Sequence, residues 1–329
     1  MKKLINRVDD VLAESLDGFA AAHADIVSLG GDRLFVQRRQ PRPGKVALIS
    51  GGGSGHEPLH AGFVGHGMLD AACPGHVFTS PTPDQMLAAA ESVETGGGVL
   101  FIVKNYSGDR MNFQLAADML ERENATIVVN DDVAVENSTY TTGRRGVAGT
   151  LIVEKIVGAA AERGDKLAAL QALGESVNKA TASMGVALTS CTVPAAGKPT
   201  FQLGDDEIEM GVGIHGEPGR RRVKLASADE MAAELTGAIL KELSLKRGQE
   251  AILLVNGFGA TPLLELYLMG NAVRRNLDAA GIKTVRHLTG PFVTSLDMAG
   301  CSVTLTAADP GMLALWDAPV HTAALRWGM

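Results

Sequence analysis

The sequence lacks paired cysteines, a basic surface and long apolar runs. Its three cysteines, Cys73, Cys191 and Cys301, lie far apart and form no C-x-x-C pair. An odd set of isolated cysteines argues against a disulfide framework and predicts reduced thiols in the cytoplasm. The formal net charge is -7. Nucleic acid is therefore not expected as a partner, because binding a phosphate backbone needs a basic surface.

No apolar run reaches the length of a transmembrane helix, so no membrane association is expected. The first residues, MKKLINRVDDVLAES, begin with basic residues but lack the uninterrupted apolar stretch of a signal peptide. Hydrophobic residues make up 46% of the 329 residues, and charged residues make up 20%. Such a chain is long enough for two ordinary domains and apolar enough to bury a substantial core.

Short apolar runs alternate with helical patterns in the first half of the chain. Three runs predict buried strands, namely KVALIS at 45–50, GVLFIVK at 98–104 and ATIVVN at 125–130. Between the first two, Thr82 is placed to cap a helix, and Gln85 is placed to close a capping box. Strands that alternate with helices predict a mostly parallel sheet with helices packed on it.

The second half of the chain repeats this organisation. Ser227 and Glu230 predict another capping box, the runs EAILLVNG, KTVRHL and CSVTLT predict strands, and Thr261 is expected to cap a long helix. We therefore predict an α/β protein with two α/β domains, each a largely parallel or mixed sheet flanked by helices. The predicted domains are 1–184 and 185–329.

The stretch SGGGSGHEPLHAGF, residues 50–63, is rich in glycine and invites comparison with glycine-containing motifs. It lacks the lysine of a nucleotide-binding P-loop. Pro58 stands where a dinucleotide fingerprint needs its third glycine, and His56 stands where a nucleophile elbow needs glycine. None of these three motifs is therefore expected to operate here.

The same stretch contains H-E-x-x-H, the pattern of zinc peptidases. Zinc binding requires both histidines on one face of an established helix, but glycines precede His56, and Pro58 suits only the first turn of a helix. We expect His56 in a loop and His60 one turn inside the following helix as an ordinary structural residue, so no metal site is predicted. A strand, a glycine loop and a helix start favour a small polar ligand, with a purely structural turn as the alternative.

Two other loops carry polar side chains in similar positions. The stretch FIVKNYSGDRMNF follows a predicted strand and offers Lys104, Asp109 and Arg110, although an aspartate in such a turn also serves as a simple cap. The stretch EMGVGIHGEPG places His215 among glycines and repeats the Gly-His pattern of the first loop. We expect these loops to converge with His56 on one polar pocket between the domains, suited to a carbonyl or hydroxyl substrate.

The stretch NDDVAVENSTYTTGRR, residues 130–145, is unusually polar for a segment that follows a strand. Asp131, Asp132, Arg144 and Arg145 are predicted to lie either at a rim where a partner docks or in a solvated loop. The residues alone leave this choice open.

Four motifs together resemble one known family. SGGGSGHEP, VKNYSGD, NDDVAVENSTYTTGRRGVAGT and GVGIHGEPG are similar, in order and spacing, to the dihydroxyacetone-binding subunit of dihydroxyacetone kinase, and the likeness covers essentially the whole chain. The resemblance implies two α/β domains, a homodimer, and a substrate held covalently as a hemiaminal between its carbonyl carbon and a histidine nitrogen.

The resemblance also implies roles for individual residues. His215 matches the histidine that forms the hemiaminal, Asp109 matches the general base for the hydroxyl that receives the phosphoryl group, and His56 matches a residue that contacts the substrate and assists or orients hemiaminal formation. These three are the expected catalytic residues. The residues expected to bind the substrate are Gly53, Ser54, His56, Lys104, Asp109 and His215.

Partners follow from the same resemblance. Single-chain ATP-dependent members carry an all-helical nucleotide domain after this region, whereas this sequence ends at HTAALRWGM. We therefore expect no cofactor on this chain and a separate nucleotide-binding kinase subunit of the L type, which holds ADP or ATP with Mg²⁺. A phosphotransferase-system subunit of the M type is expected to act indirectly, through that partner.

Two alternatives stay open at this point. The same loops fit a kinase subunit for another short ketose or aldose, such as erythrulose or glyceraldehyde. They also fit a regulator that senses dihydroxyacetone, although such a sensor has no need of Asp109.

Overall fold

Two six-stranded sheets organise the computed structural model, which describes residues 2–135, 143–217 and 219–329. The first sheet contains, in spatial order, β1 (Val27–Gly30), β2 (Phe35–Arg38), β5 (Ala71–Val77), β3 (Ala47–Ser54), β6 (Val99–Lys104) and β7 (Asn124–Val129). β3 is parallel to β5 and β6, and β6 is parallel to β7, whereas β1 and β2 form an antiparallel edge. The three strands predicted from the first half of the sequence are confirmed.

The second sheet is mixed. Its strands are, in spatial order, β10 (Arg221–Lys224), β9 (Glu207–Met210), β8 (Thr181–Ala187), β13 (Gly300–Ala307), β11 (Glu250–Gly257) and β12 (Lys283–Gly290). β11 and β12 are parallel, and the other neighbouring pairs are antiparallel. The predicted α/β class with two flanked sheets is confirmed. β8 crosses position 184, and the division into domains 1–184 and 185–329 stays a prediction.

A small third sheet returns the last residues to the first half of the chain. Its strands are β15 (Arg326–Trp327), β14 (Val320–Thr322) and β4 (Gly65–His66). β4 follows one turn of 3-10 helix at Ala61–Phe63, directly after the glycine-rich stretch. The pairing of β4 with β14 therefore connects the segment that follows the glycine-rich stretch to the last residues of the chain.

The helices within the described residues cover the faces of these sheets. They are α1 (Val11–Ala22), α2 (Pro83–Val93), α3 (Ser107–Met119), α4 (Gly149–Arg163), α5 (Leu167–Lys179), α6 (Ala228–Leu243), α7 (Leu263–Ala280) and α8 (Pro310–Asp317). Helix α4 packs against both sheets and is buried at every residue from 149 to 162. No helix that the structure describes has the length and apolar character needed to cross a bilayer.

Local capping signals specify several helix ends. The boxes at Thr82 with Gln85 and at Ser227 with Glu230 are both formed, as predicted. The expected cap at Thr261 is wrong. α7 starts one residue later, after Pro262, while the Thr261 hydroxyl bonds the backbone of a residue on β13.

The first three glycines of the first motif, Gly51 to Gly53, lie in a strand rather than in a loop. β3 continues through Gly51 and Gly53 as far as Ser54, which corrects the expected strand end at residue 50. Close neighbours explain why these positions are glycine. A Cβ on Gly51 would lie 2.5 Å from the carbonyl oxygen of Cys73, and a Cβ on Gly53 would lie 2.5 Å from the backbone nitrogen of Thr79.

Candidate active site

The polar residues singled out in the sequence meet at the carboxyl edge of the first sheet. His56 follows β3, Lys104 is the last residue of β6, and Asp109 lies in the first turn of α3. Since β3 and β6 are parallel neighbours, their carboxyl ends open on the same side. His215 reaches this edge from the turn that connects β9 and β10 in the second sheet.

His56 is buried and has a defined tautomer. Its Nδ1 lies 2.8 Å from the carbonyl oxygen of Thr294, and because that oxygen only accepts, Nδ1 carries the proton. Nε2 keeps a lone pair and has no hydrogen-bond partner among the described residues. Burial, and then the charges of His215 and Lys104, lower the pKa of His56 well below its usual value. His56 is therefore a neutral imidazole with one nitrogen available to a ligand.

His215 is oriented by a carboxylate two residues further on. Its Nδ1 lies 2.9 Å from Glu217 Oε1, and its backbone N–H donates to Glu217 Oε2 at 3.0 Å. Burial by itself raises the pKa of Glu217, but the charge and hydrogen bond of His215 and the charge of Arg145 outweigh burial and lower the pKa to about 2. An ionised Glu217 accepts a hydrogen bond from Nδ1, so in the neutral form of His215 the proton stays on Nδ1 and Nε2 presents a lone pair.

Four rings surround the space between these two histidines. The His56 and His215 rings are 4.6 Å apart, in an edge-on arrangement. Phe78 stacks on His56 at 5.0 Å, and Tyr106 meets His215 edge-on at 4.6 Å. The two Gly-His segments thus converge as expected, and an aromatic ring packs against each imidazole.

Lys104 and Asp109 form a buried ion pair at the same edge. Lys104 Nζ lies 3.7 Å from Asp109 Oδ2, and the two side chains are 0% and 5% exposed. Asp109 Oδ1 also accepts a short hydrogen bond from the Ser80 hydroxyl. Burial lowers the pKa of Lys104, while Asp109 and Glu154 oppose that shift. The Asp109 carboxylate is therefore fixed in place by two partners.

Gly53 and Ser54 contribute differently from the histidines. Gly53 lets the strand pass close to the backbone of Thr79. The Ser54 hydroxyl donates to the carbonyl oxygen of Gly75 at 2.7 Å, so this side chain serves the fold. Any contribution of Ser54 to ligand binding would come from its backbone, and the substrate-binding assignment of both residues stays a prediction.

Two supporting residues were not identified from the sequence. Thr294 donates from its hydroxyl to the carbonyl oxygen of Glu57 at 2.8 Å and fixes the His56 ring through its own carbonyl. Asn256 is buried at the end of β11, where its side chain accepts from the Val293 N–H at 2.7 Å. Asn256 therefore orders the segment that carries Thr294.

The polar stretch after β7 is not a solvated loop at three of the four charged residues that the structure describes there, whereas the fourth, Arg144, is partly exposed and pairs with Glu242 on the surface. Asp131, Asp132 and Arg145 are buried. Arg145 donates to Asp132 at 2.8 Å and to the carbonyl oxygen of Gly211 at 2.8 Å, at the base of the β9–β10 turn. These charges therefore hold the turn that carries His215. Residues 136–142 of the same stretch lie outside the described residues.

The H-E-x-x-H stretch at 56–60 does not adopt the helical geometry of a zinc peptidase. Residues 56–60 form turns, and the short 3-10 helix starts only at Ala61, so the expectation that His60 lies inside a helix is wrong. Among the residues that the structure describes, no group of three or more His, Cys, Asp or Glu side chains is arranged to hold a metal ion.

The family assignment rests on the whole chain. The sequence model of the Dak1 domain family matches residues 17–324 of this chain. The chain belongs to the Dak1 domain family. The matched region of the Dak1 domain extends from α1 to β14 and includes every site residue described above.

Relatives of this Dak1 domain include proteins of known role. The chain is 50% identical, over 100% of both chains, to the dihydroxyacetone-binding subunit DhaK of the PEP-dependent dihydroxyacetone kinase of Escherichia coli. Among solved structures it resembles the dihydroxyacetone kinase operon co-activator DhaQ, with a TM-score of 0.89, 35% identity, and coverage of 94% of this chain and 97% of that chain. It also resembles the dihydroxyacetone kinase of C. freundii, with a TM-score of 0.89, 33% identity, and coverage of 99% of this chain and 60% of that chain.

Proposed function

We propose that the chain is the dihydroxyacetone-binding subunit of a dihydroxyacetone kinase and that it acts in the cytoplasm. It binds dihydroxyacetone covalently and presents one hydroxyl for phosphorylation, which gives dihydroxyacetone phosphate. The observation that carries the proposal is the pair of imidazoles whose ring centres are 4.6 Å apart, one oriented by Glu217 and the other with an Nε2 that has no partner among the described residues. The 50% identity to a dihydroxyacetone-binding subunit supports the choice of substrate.

His215 is the proposed covalent anchor. The lone pair of its Nε2 forms a bond to the carbonyl carbon, the carbonyl π bond opens, and the oxygen takes up a proton from a water molecule, which regains a proton from Nδ1 by way of Glu217. The Nδ1 proton passes towards Glu217, whose carboxylate lies 2.9 Å away, so the adduct carries no unpaired charge. This step requires a carbonyl group, so glycerol is rejected by its chemistry rather than by its size.

Asp109 is the proposed general base. Phosphoryl transfer depends mainly on positioning and charge stabilisation, and the acceptor hydroxyl must lose its proton as the new bond forms. The Asp109 carboxylate is buried at the start of α3 and held by Ser80 and Lys104, which supports a fixed position relative to an anchored triose.

The phosphoryl donor is proposed to reside on a separate nucleotide-binding subunit of the L type, which holds ADP or ATP with Mg²⁺. PEP dependence in the Escherichia coli relative supports a phosphotransferase-system subunit of the M type as the source of the phosphoryl group for that partner. We also propose that the chain acts as a homodimer, as the family resemblance implies.

Calorimetric titration of the purified chain with dihydroxyacetone tests the proposed substrate. Dihydroxyacetone is expected to bind, and glycerol, which has the same skeleton but no carbonyl, is expected not to bind. Erythrulose and glyceraldehyde in the same series separate dihydroxyacetone from other short hydroxy-carbonyls. Absence of heat with dihydroxyacetone, together with binding of another member, would transfer the proposal to that sugar.

Replacing Glu217 with glutamine is expected to weaken covalent binding by roughly 10- to 100-fold, the usual worth of a hydrogen bond to a charged group. The amide keeps the shape but no longer draws the Nδ1 proton from His215. Adduct formation is followed by ¹³C NMR with dihydroxyacetone labelled at the carbonyl carbon. Glu234→Gln, which breaks only an ion pair with Arg221, is the matched control. Equal adduct formation in both variants would remove Glu217 from the proposal.

Replacing His56 with alanine is expected to produce a smaller loss of affinity than the loss of His215. Its neutral Nε2 is proposed to accept a hydrogen bond from a substrate hydroxyl, but it forms no covalent bond. Affinity and turnover are measured on the same protein, with His56→Gln as a partner-retaining variant. An alanine variant as tight and as active as the unmodified chain would exclude a role for this imidazole.

A sensing role is the second candidate, favoured by the structural likeness to the co-activator DhaQ. The buried Asp109 argues for catalysis, because a sensor has no use for a base. Turnover in the presence of a nucleotide-binding subunit separates the two roles.

A further inference from the structure

A line of four ionisable side chains runs from the candidate active site into the interior of the protein. Glu154 lies in the middle of the buried helix α4, and His60, Lys104 and Asp109 follow it towards the sheet edge. Glu154 Oε1 lies 2.6 Å from His60 Nδ1, and His60 Nε2 lies 2.7 Å from Lys104 Nζ. Lys104 Nζ in turn lies 3.7 Å from Asp109 Oδ2. We call these four residues the buried charge chain.

Hydrogen bonding defines where the protons of the chain reside. The Ser50 hydroxyl donates its one proton to the carbonyl oxygen of Ile102 at 2.6 Å, so it can only accept from His60 Nδ1, which lies 3.0 Å away. His60 Nδ1 therefore carries a proton and directs it towards Ser50 and Glu154. Nε2 of His60 is then an acceptor, and Lys104 donates to it.

Lys104 occupies the centre of the chain as an ammonium group with three partners. Besides His60 and Asp109, it donates to the carbonyl oxygen of Gly51 at 3.2 Å. A Cβ on Gly52 would lie 2.3 Å from Lys104 Nζ, so glycine at this position makes room for the ammonium. Contacts with β3 and with His60 therefore fix the direction of the Lys104 side chain.

Glu154 is the part of the chain that the proposed chemistry leaves unused. Its Oε2 is buried and has no hydrogen-bond partner among the described residues, and burial without a partner penalises the ionised carboxylate more than the neutral acid. Burial raises the pKa of Glu154 to about 8, against the opposing charge of Lys104. The next residue on α4, Lys155, donates to the carbonyl oxygen of Leu315 instead of to the buried charge chain.

We propose that Glu154 and His60 are positioning residues that hold Lys104 beside Asp109 and that gain or loss of one proton on Glu154 sets the charge of the whole chain. The inference rests on the proposed role of Asp109 as a base. With Glu154 protonated, the positive Lys104 and the negative Asp109 balance. With Glu154 ionised, the chain carries one extra negative charge, which makes Asp109 a stronger base.

The titratable groups that face the chain come from several elements. His60 precedes the 3-10 helix, Lys104 ends β6 and Asp109 begins α3. His56 acts on His60 electrostatically but stays neutral. A single proton on Glu154 therefore decides whether the buried charge chain is neutral or negative.

Two substitutions at Glu154 separate position from charge. Glu154→Gln keeps an oxygen for the His60 proton but cannot ionise, whereas Glu154→Leu removes both functions. Glu162→Gln is the matched control, since Glu162 is a buried carboxylate on the same helix that bonds Arg38 instead of the chain. Each full-length variant is first titrated with dihydroxyacetone and then assayed for phosphoryl transfer with the nucleotide-binding subunit in excess.

Unmodified protein is expected to show a transfer rate that rises as the pH passes through about 8, the pKa of Glu154. The glutamine variant is expected to keep its rate at neutral pH and to lose that rise. The leucine variant is expected to lose roughly tenfold or more in rate while it still binds dihydroxyacetone. A pH profile of Glu154→Gln identical to that of Glu162→Gln, or full transfer by Glu154→Leu, would overturn the proposal.

Infrared spectroscopy tests the chain without any substrate. At neutral pH the carboxylic acid band of Glu154 is expected to be present, and it is expected to disappear as the pH rises through about 8. The same band is expected to be absent from Glu154→Gln and present in Glu162→Gln. A band unaffected by Glu154→Gln would refute the protonation of Glu154. Failure of the unmodified chain to bind dihydroxyacetone would instead refute the proposed function and leave the infrared result intact.

Discussion

The His215→Ala protein is expected to form no covalent adduct with dihydroxyacetone. The Nε2 lone pair of His215 is the proposed nucleophile, and His56 is not expected to replace it, because its Nδ1 donates to the neutral carbonyl of Thr294 and has no carboxylate to take up its proton as Glu217 does for His215. With carbonyl-labelled dihydroxyacetone, the unmodified chain should convert the ketone ¹³C signal into that of a tetrahedral carbon, and the variant should leave the ketone signal unchanged. Calorimetry on the same samples should show a sharp loss of affinity.

His287→Ala is a suitable control for this experiment. His287 lies exposed on β12, where it bonds only the nearby Thr289 among the contacts that the structure describes. Its removal should leave the adduct intact. A tetrahedral carbon signal in the His215→Ala protein would place the covalent bond on another residue and end the proposed role of His215.

The second large effect is expected for Asp109→Asn. The amide cannot remove a proton, and a general base commonly contributes about 10²–10⁴-fold to a rate, so turnover should fall by that amount. Adduct formation depends on His215 and Glu217 and should persist. Turnover is measured with the nucleotide-binding subunit in excess, and binding is measured by calorimetry.

Asp118→Asn on the exposed side of the same helix provides the comparison. This substitution also changes one carboxylate of α3 to an amide, but it lies outside the candidate active site. Full turnover is therefore expected. Retention of full turnover by Asp109→Asn would falsify the role of this residue as the base. Loss of adduct as well as turnover would assign Asp109 to substrate binding instead.

Features that depend on neighbours in sequence were predictable. The capping boxes at Thr82 and Ser227 involve residues three positions apart, so a short stretch of sequence contains all the information. The buried strands were equally accessible, because each is one continuous apolar run. The convergence of His56 and His215 was anticipated from the repeated Gly-His pattern at the ends of strands.

Features that depend on distant parts of the chain were not predictable in this way. β3 continues through its glycines because another strand lies against them, and that neighbour cannot be inferred from the glycines themselves. Thr294 holds the His56 ring across 238 positions of sequence, and no local pattern announces the contact. His60 was assigned an ordinary role because its partners, Lys104 and Glu154, belong to separate elements.

One missed feature did leave a signal. In the helical stretch GVAGTLIVEKIVGAAAER, Glu154 and Lys155 are the only charged residues before the last turn. A helix that is apolar on all sides is buried, so both charges had to find partners in the interior. Each of them does, Glu154 at His60 and Lys155 at two carbonyl oxygens near the end of the chain.

The contact between Thr294 and His56 has a thermodynamic consequence for the whole molecule. The proposed site takes His56 from the first sheet and His215 from a turn of the second, so the proposed triose adduct on His215 can contact both halves only while they stay docked. Ligand binding and docking are therefore linked equilibria, and ligand that binds only the docked form stabilises it in proportion to the logarithm of its concentration. Dihydroxyacetone should slow amide hydrogen exchange in both halves together, including strands that never touch it.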